Sequence, residues 1–128
     1  DGARQLTTDD SWAGEQVASG AMTEDEAMAD TRAHAITRWL GTDAPTDPPQ
    51  LSTFCPSTPG SLLICSDGLW NYAATPEHLD QLIAAQPPDT TPLALARALT
   101  NFALSAGGHD NITVVVADLA PAATKGTP

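Results

Sequence analysis

Along the chain, apolar residues recur with two kinds of spacing. Leu62-Leu63-Ile64-Cys65, introduced by Pro59-Gly60 and stopped by Ser66-Asp67-Gly68, is a short apolar run between turn signals, the pattern of a buried strand. Over residues 112–119, Ile112, Val114 and Val116 alternate with Thr113, Val115 and Ala117, and the β-branched content predicts a second strand. Between them the spacing turns helical. Leu79, Leu82 and Ile83 share one face of a helix predicted over residues 77–85, with Thr75 as cap, Pro76 at the first position and Pro87-Pro88 beyond the end. Leu95, Leu99, Phe102 and Ala103 mark another, begun after Thr91 and stopped by Gly107-Gly108.

Upstream the pattern is weaker. Residues 8–29 read as two short helices, the first behind Ser11 and the second opened by Thr23-Glu24-Asp25-Glu26, a capping box in which Thr23 and Glu26 satisfy each other's backbone donors. Ala35-Ile36-Thr37-Arg38-Trp39-Leu40-Gly41 is strand-like and ends at glycine, with Trp39 expected to be buried. Residues 42–50 carry Pro45, Pro48 and Pro49 and form a loop. Residues 120–128 are small, polar and proline-containing, a frayed tail. No repeat of solenoid period is present. Strands with intervening helices, antiparallel or mixed, are the expected organisation.

Composition narrows the range of partners. The 128 residues hold 16 acidic groups against 5 Lys plus Arg, a formal charge of −11. Nucleic-acid binding rests on cations that displace phosphate counterions, so no nucleic-acid partner is expected, and an anionic membrane surface is disfavoured for the same reason. No apolar run approaches the roughly twenty residues of a membrane span, and no signal peptide is expected. Cys55 and Cys65 make a poor disulfide framework, Cys65 within an apolar run reads as a buried thiol, and a reduced, cytoplasmic setting is expected. The acidic cluster at residues 24–26 is explained by the helix start it occupies.

Two carboxylates stand where chemistry could sit. The strand at 62–65 delivers Asp67 to its C-terminal end, with Gly68 permitting a sharp turn and close backbone approach, and the glycine-rich loop Gly107-Gly108-His109 delivers Asp110 just before the last strand. If the two strands are antiparallel neighbours, both carboxylates share one rim of a sheet. Such a pair can share a proton or hold a hard divalent cation through oxygen, and the same residues also make ordinary turns. The chain has no HExxH, no CxxC and no histidine cluster, so a zinc site of nitrogen and sulfur is not expected.

Leu62-Leu63-Ile64-Cys65-Ser66-Asp67-Gly68-Leu69-Trp70 and Gly107-Gly108-His109-Asp110-Asn111-Ile112-Thr113-Val114-Val115-Val116 resemble the two C-terminal motifs of the PPM, or PP2C-type, metal-dependent protein serine/threonine phosphatases. Leu6-Thr7-Thr8-Asp9-Asp10-Ser11 resembles that family's Leu-Thr-x-Asp-His-Ser stretch. Met22-Thr23-Glu24-Asp25-Glu26-Ala27 and Ile36-Thr37-Arg38-Trp39-Leu40-Gly41 are similar to its Ile-Thr-x-Glu-Glu-Ala and Ile-Thr-Arg-Ala-Leu-Gly segments. The five occur in the family's order.

The resemblance implies an α+β fold, part of an αββα sandwich of two antiparallel sheets flanked by helices. Residues 1–119 would form the C-terminal half of the phosphatase domain, with 8–29 as its flap-like segment. It implies Asp67 and Asp110 as metal ligands, His34 as a contributor to a third metal, and Mn²⁺ or Mg²⁺ as the cofactor, two ions in the intact domain. The implied reaction is hydrolysis of phosphoserine and phosphothreonine monoesters in a phosphoprotein substrate. The family's Asp-Gly-His-Gly-Gly motif has no counterpart in these residues. The partner expected for the chain is therefore the missing N-terminal half of the domain or a second copy, with negligible activity alone. Asp10 stands where the family often has His, and Arg38 is expected to pair with a carboxylate rather than with phosphate. A non-catalytic PPM-like regulatory or scaffold module is the alternative, and an unrelated Ca²⁺-binding β-domain a more distant one.

Overall fold

The computed structural model describes residues 2–44 and 48–120, so the expected tail beyond 120 and Pro45 of the proline-rich loop lie outside the described residues. The chain divides into two compact units, Gln5–Thr53 and a unit made of residues 1–4 with 54–128.

The second of these carries the sheet. β1 (Gly60–Cys65) pairs antiparallel with β2 (Val114–Leu119), in a register running from Gly60 opposite Leu119 to Cys65 opposite Val114. Three helices lie between them in sequence: α3 (Asp67–Trp70), α4 (Pro76–Ala84) and α5 (Pro92–Ala106). Alternation decides which strand residues face the helices. Leu63 and Cys65 from β1, with Val114 and Val116 from β2, pack on a core of Leu69, Leu95, Leu99 and Ala103. Leu69 and Leu99 are fully buried, and Leu79, Leu82 and Ile83 of α4 cover the core from its side. The intervening positions point the other way and are left open: Ile64 is 57% exposed and its partner Val115 49%.

Helix ends follow the sequence signals. The hydroxyls of Thr75 and Thr91 accept from His78 N and Ala94 N, each one residue ahead of a proline that opens its helix. α5 stops where Gly107 and Gly108 take φ of +148° and +58°, a region that residues with a Cβ rarely enter. At the N-terminal side, the Arg4 guanidinium lies 4.8 Å from the centre of the Phe54 ring.

In the Gln5–Thr53 unit, α1 (Trp12–Ala18) and α2 (Glu24–Met28) form as expected. The capping box is complete: Thr23 Oγ1 accepts from Glu26 N at 3.3 Å, and Glu26 Oε2 accepts from Thr23 N at 2.9 Å. The bond from Thr23 N, and then one that Thr23 Oγ1 donates to Glu26 Oε2 at 2.8 Å, hold the Glu26 carboxyl below its usual range. The core here is built of small residues, Ala13, Ala27 and Ala33, flanked by Trp12 and Met22. Arg32 stacks over the Trp12 ring at 4.1 Å while its side chain donates twice to Asp30.

Five expectations need correction here. Residues 35–41 form no strand beyond a single bridge between Ile36 and Ser11. Trp12 N donating to the Ala35 carbonyl and Thr37 N to the Asp10 carbonyl make that bridge, and the pairing goes no further because the partner segment enters α1 at Trp12. Trp39 is 45% exposed rather than buried, and Cys65 is only partly buried. Gly68 makes no sharp positive-φ turn, because Asp67 opens a helical turn, and β2 begins at Val114 rather than Ile112. The α+β class stands, with one two-stranded sheet among the described residues.

Candidate metal centre

The antiparallel register sends the C-terminal end of β1 and the N-terminal approach to β2 to the same edge of the sheet. Asp67 lies two residues past Cys65, and Asp110 four residues before Val114, its partner in the register. Packing tightens this further. A Cβ on Gly68 would lie 2.5 Å from the Asn111 carbonyl oxygen and 2.9 Å from its carbon, so only glycine permits the two backbones to approach so closely. Gly68 is therefore required for space rather than for its dihedral freedom. The residue after Asp67 thus rests on the residue after Asp110.

Two side chains that sequence reasoning did not single out complete the arrangement. Ser66 Oγ donates to the Asn111 carbonyl at 2.8 Å and accepts from Thr113 N at 3.0 Å. Tyr72 Oη accepts from His109 N at 3.1 Å, its ring packed against the helical core. Ser66 carried only a turn signal, as the first residue of the Ser66-Asp67-Gly68 stop. Tyr72 carried none, because one aromatic residue past a predicted turn has no periodic partner.

The carboxylates differ in setting. Asp67 is half-buried and its carboxylate makes no hydrogen bond or ion pair among the described residues, whereas exposed Asp110 accepts from Asn111 N at 2.7 Å through Oδ1. Oxygen donors on one edge suit Mg²⁺ or Mn²⁺ in kind. In number they fall short: among the described residues, no three of His, Cys, Asp and Glu come together to hold a metal ion. His34 belongs to the Gln5–Thr53 unit, exposed in a turn after α2, and is part of no such group. Arg38 pairs with Asp10 at 2.9 Å, as expected of a lone cation in an acidic chain. A hollow of about 410 Å³ opens elsewhere, lined by Leu93, Ala96, Arg97, Thr100, Asn101 and Val114, and includes neither Asp67 nor Asp110.

No helix among the described residues is long and apolar enough to cross a membrane. No family model matches the chain. Curated bacterial proteins do. The serine/threonine phosphatase stp of Listeria monocytogenes is 32% identical over 117 residues, which is 90% of this chain and 44% of that protein. The protein phosphatase PhpP of Streptococcus pneumoniae is 34% identical over 116 residues, 90% of this chain and 45% of its own length. The chain therefore spans less than half the length of the curated relatives it matches. Through nine-tenths of its residues the chain is thus similar to part of these bacterial serine/threonine protein phosphatases.

Proposed function

We propose that these residues supply Asp67 and Asp110 as oxygen ligands to the metal centre of a phosphatase that hydrolyses phosphoserine and phosphothreonine monoesters. The observation that carries the reading is the convergence of both aspartates on one edge, reinforced by the contact between Gly68 and Asn111. Bound Mn²⁺ or Mg²⁺ would supply a water of lowered pKa and neutralise charge on the phosphoryl oxygens. The role of Asp67 and Asp110 is to bind and orient the ions. With no partner among the described residues, the Asp67 carboxylate can do so without breaking a contact made there.

Two carboxylates leave most of a six-coordinate ion to water or to other ligands, so affinity in this chain alone is weak, on the order of millimolar. The remaining ligands come, in this proposal, from the N-terminal half of such a domain or from a second copy. Either would also cover Ile64 and Val115 on the open face of the sheet. Cys55 and Cys65 are not joined in a disulfide, which suits a reducing cytoplasm.

The test is turnover of a phosphoserine peptide and of a simple aryl phosphate with Mn²⁺. The 128 residues alone should show negligible hydrolysis. A longer form with the missing ligands should be active and should lose at least about a hundredfold in kcat with Asp67→Asn or Asp110→Asn. Robust hydrolysis by the 128 residues, abolished by Asp67→Asn, would overturn the need for outside ligands. Full activity of both variants in the longer form would overturn the ligand assignment. The shortage of a third ligand favours a second reading, a non-catalytic module, and an inactive longer form that still binds its partners would establish it.

A further inference from the structure

Ser66 stands directly ahead of α3, where a serine usually caps, yet its hydroxyl makes no bond to the amides of α3. The reason lies in how the ladder ends. Ser66 N donates to the Thr113 carbonyl at 3.0 Å, extending the pairing one step beyond Cys65 and Val114. The reciprocal bond of an antiparallel pair would run from Thr113 N to the Ser66 carbonyl. That carbonyl has instead turned to accept from Leu69 N at 3.1 Å as the chain enters α3. The Ser66 hydroxyl takes its place, accepting from Thr113 N at 3.0 Å, and donates to the Asn111 carbonyl at 2.8 Å. From the other end, Tyr72 Oη holds His109 N. Residues 109–113 are thus fastened on both sides of Asp110 by side chains that flank Asp67.

We infer that Ser66 is a positioning residue that fixes where Asp110 stands relative to Asp67, with Tyr72 as the second point of attachment. The inference rests on the reading of the two aspartates as metal ligands, and it adds the device by which one chain segment sets both. An alanine at 66 would strip an acceptor from Thr113 N and a donor from the Asn111 carbonyl at once. Threonine keeps the hydroxyl and both bonds. Cysteine or alanine does not, since a thiol is a weak partner for either.

The experiment is amide hydrogen exchange on the 128-residue chain, with Mn²⁺ titrated against backbone resonances in parallel. Ser66→Ala should speed exchange at Thr113 and across residues 109–111 about tenfold, while the central amides of α5 keep their protection. It should also raise several-fold the Mn²⁺ concentration at which signals near Asp67 and Asp110 broaden. Ser66→Thr should restore both, and Tyr72→Phe should release His109 N selectively. Unchanged exchange at Thr113 and at residues 109–111 in Ser66→Ala overturns the positioning role. So does equal exchange at His109 in Tyr72→Phe for the second attachment, a result that holds even if Ser66→Ala loses α5 protection as well. The accelerated exchange with no Mn²⁺ response in the parent chain would overturn the metal reading while leaving the brace between the two segments standing.

Discussion

At Gly68 the space for a methyl group is already occupied by the backbone of Asn111, and backbone moves less readily than a side chain tip. Gly68→Ala should therefore cost about 1–3 kcal/mol in denaturant unfolding, by forcing the two aspartate-bearing segments apart. Leu99, 1% exposed in the middle of α5, should cost about 2–5 kcal/mol as Leu99→Ala, because its removal leaves a cavity among Leu69, Leu95 and Ala103. Asp30 gives a pH signature. Hydrogen bonds from the Arg32 side chain, and then from its backbone, lower its pKa from the ordinary 3.8 to about 2. A depressed carboxyl pKa stabilises the folded state fully above the unfolded value, and the contribution fades as pH falls from about 4 toward 2. A carbon-detected titration should place the Asp30 midpoint near 2, and Arg32→Gln should return it to the usual carboxylate range. At this scale the sequence was informative about Asp67, Asp110 and the pairing of Arg38, but Ser66 and Tyr72 act through bonds that span 37 to 47 residues. No local pattern encodes such a partner.

Among the elements, those with complete local signals formed where expected. Thr75-Pro76, Thr91-Pro92 and Gly107-Gly108 each state a helix boundary by themselves, and α4 and α5 begin and end there. Removing one such signal has a defined cost: Thr91→Ala should destabilise the chain by about 1 kcal/mol, read as a shift of the urea midpoint at unchanged slope. Residues 35–41 illustrate the opposite case. Their apolar and β-branched residues suit a strand, but a strand exists only where a partner offers its backbone, and here the partner segment turns into α1 at Trp12, directly after the bridge at Ser11. Trp39 lost its expected burial with the strand that would have supplied it. The late start of β2 has a similar origin, since the Ser66 hydroxyl rather than a ladder carbonyl receives Thr113 N. The edge that gathers Asp67 and Asp110 was legible only conditionally, as a consequence of antiparallel pairing that alternation can suggest but not fix.

For the molecule as a whole, net charge and exposed apolar surface act against each other. A charge of −11 keeps copies apart in dilute salt, whereas Ile64 and Val115 on the uncovered face of the sheet favour association. Sedimentation should accordingly show self-association that strengthens as salt rises, and Ile64→Lys with Val115→Lys should remove it. A monomer at every ionic strength would mean that the face is satisfied as it stands. The contact between Arg4 and Phe54 bears on a different matter. Both residues belong to the unit that carries the sheet, so the chain departs from that unit and rejoins it at a single place. Residues 5–53 are in effect a detour with its ends pinned together, and lengthening such a detour costs free energy only logarithmically. That stretch can therefore change in length at little cost to the frame that carries Asp67 and Asp110, much as a tool takes different heads on one handle.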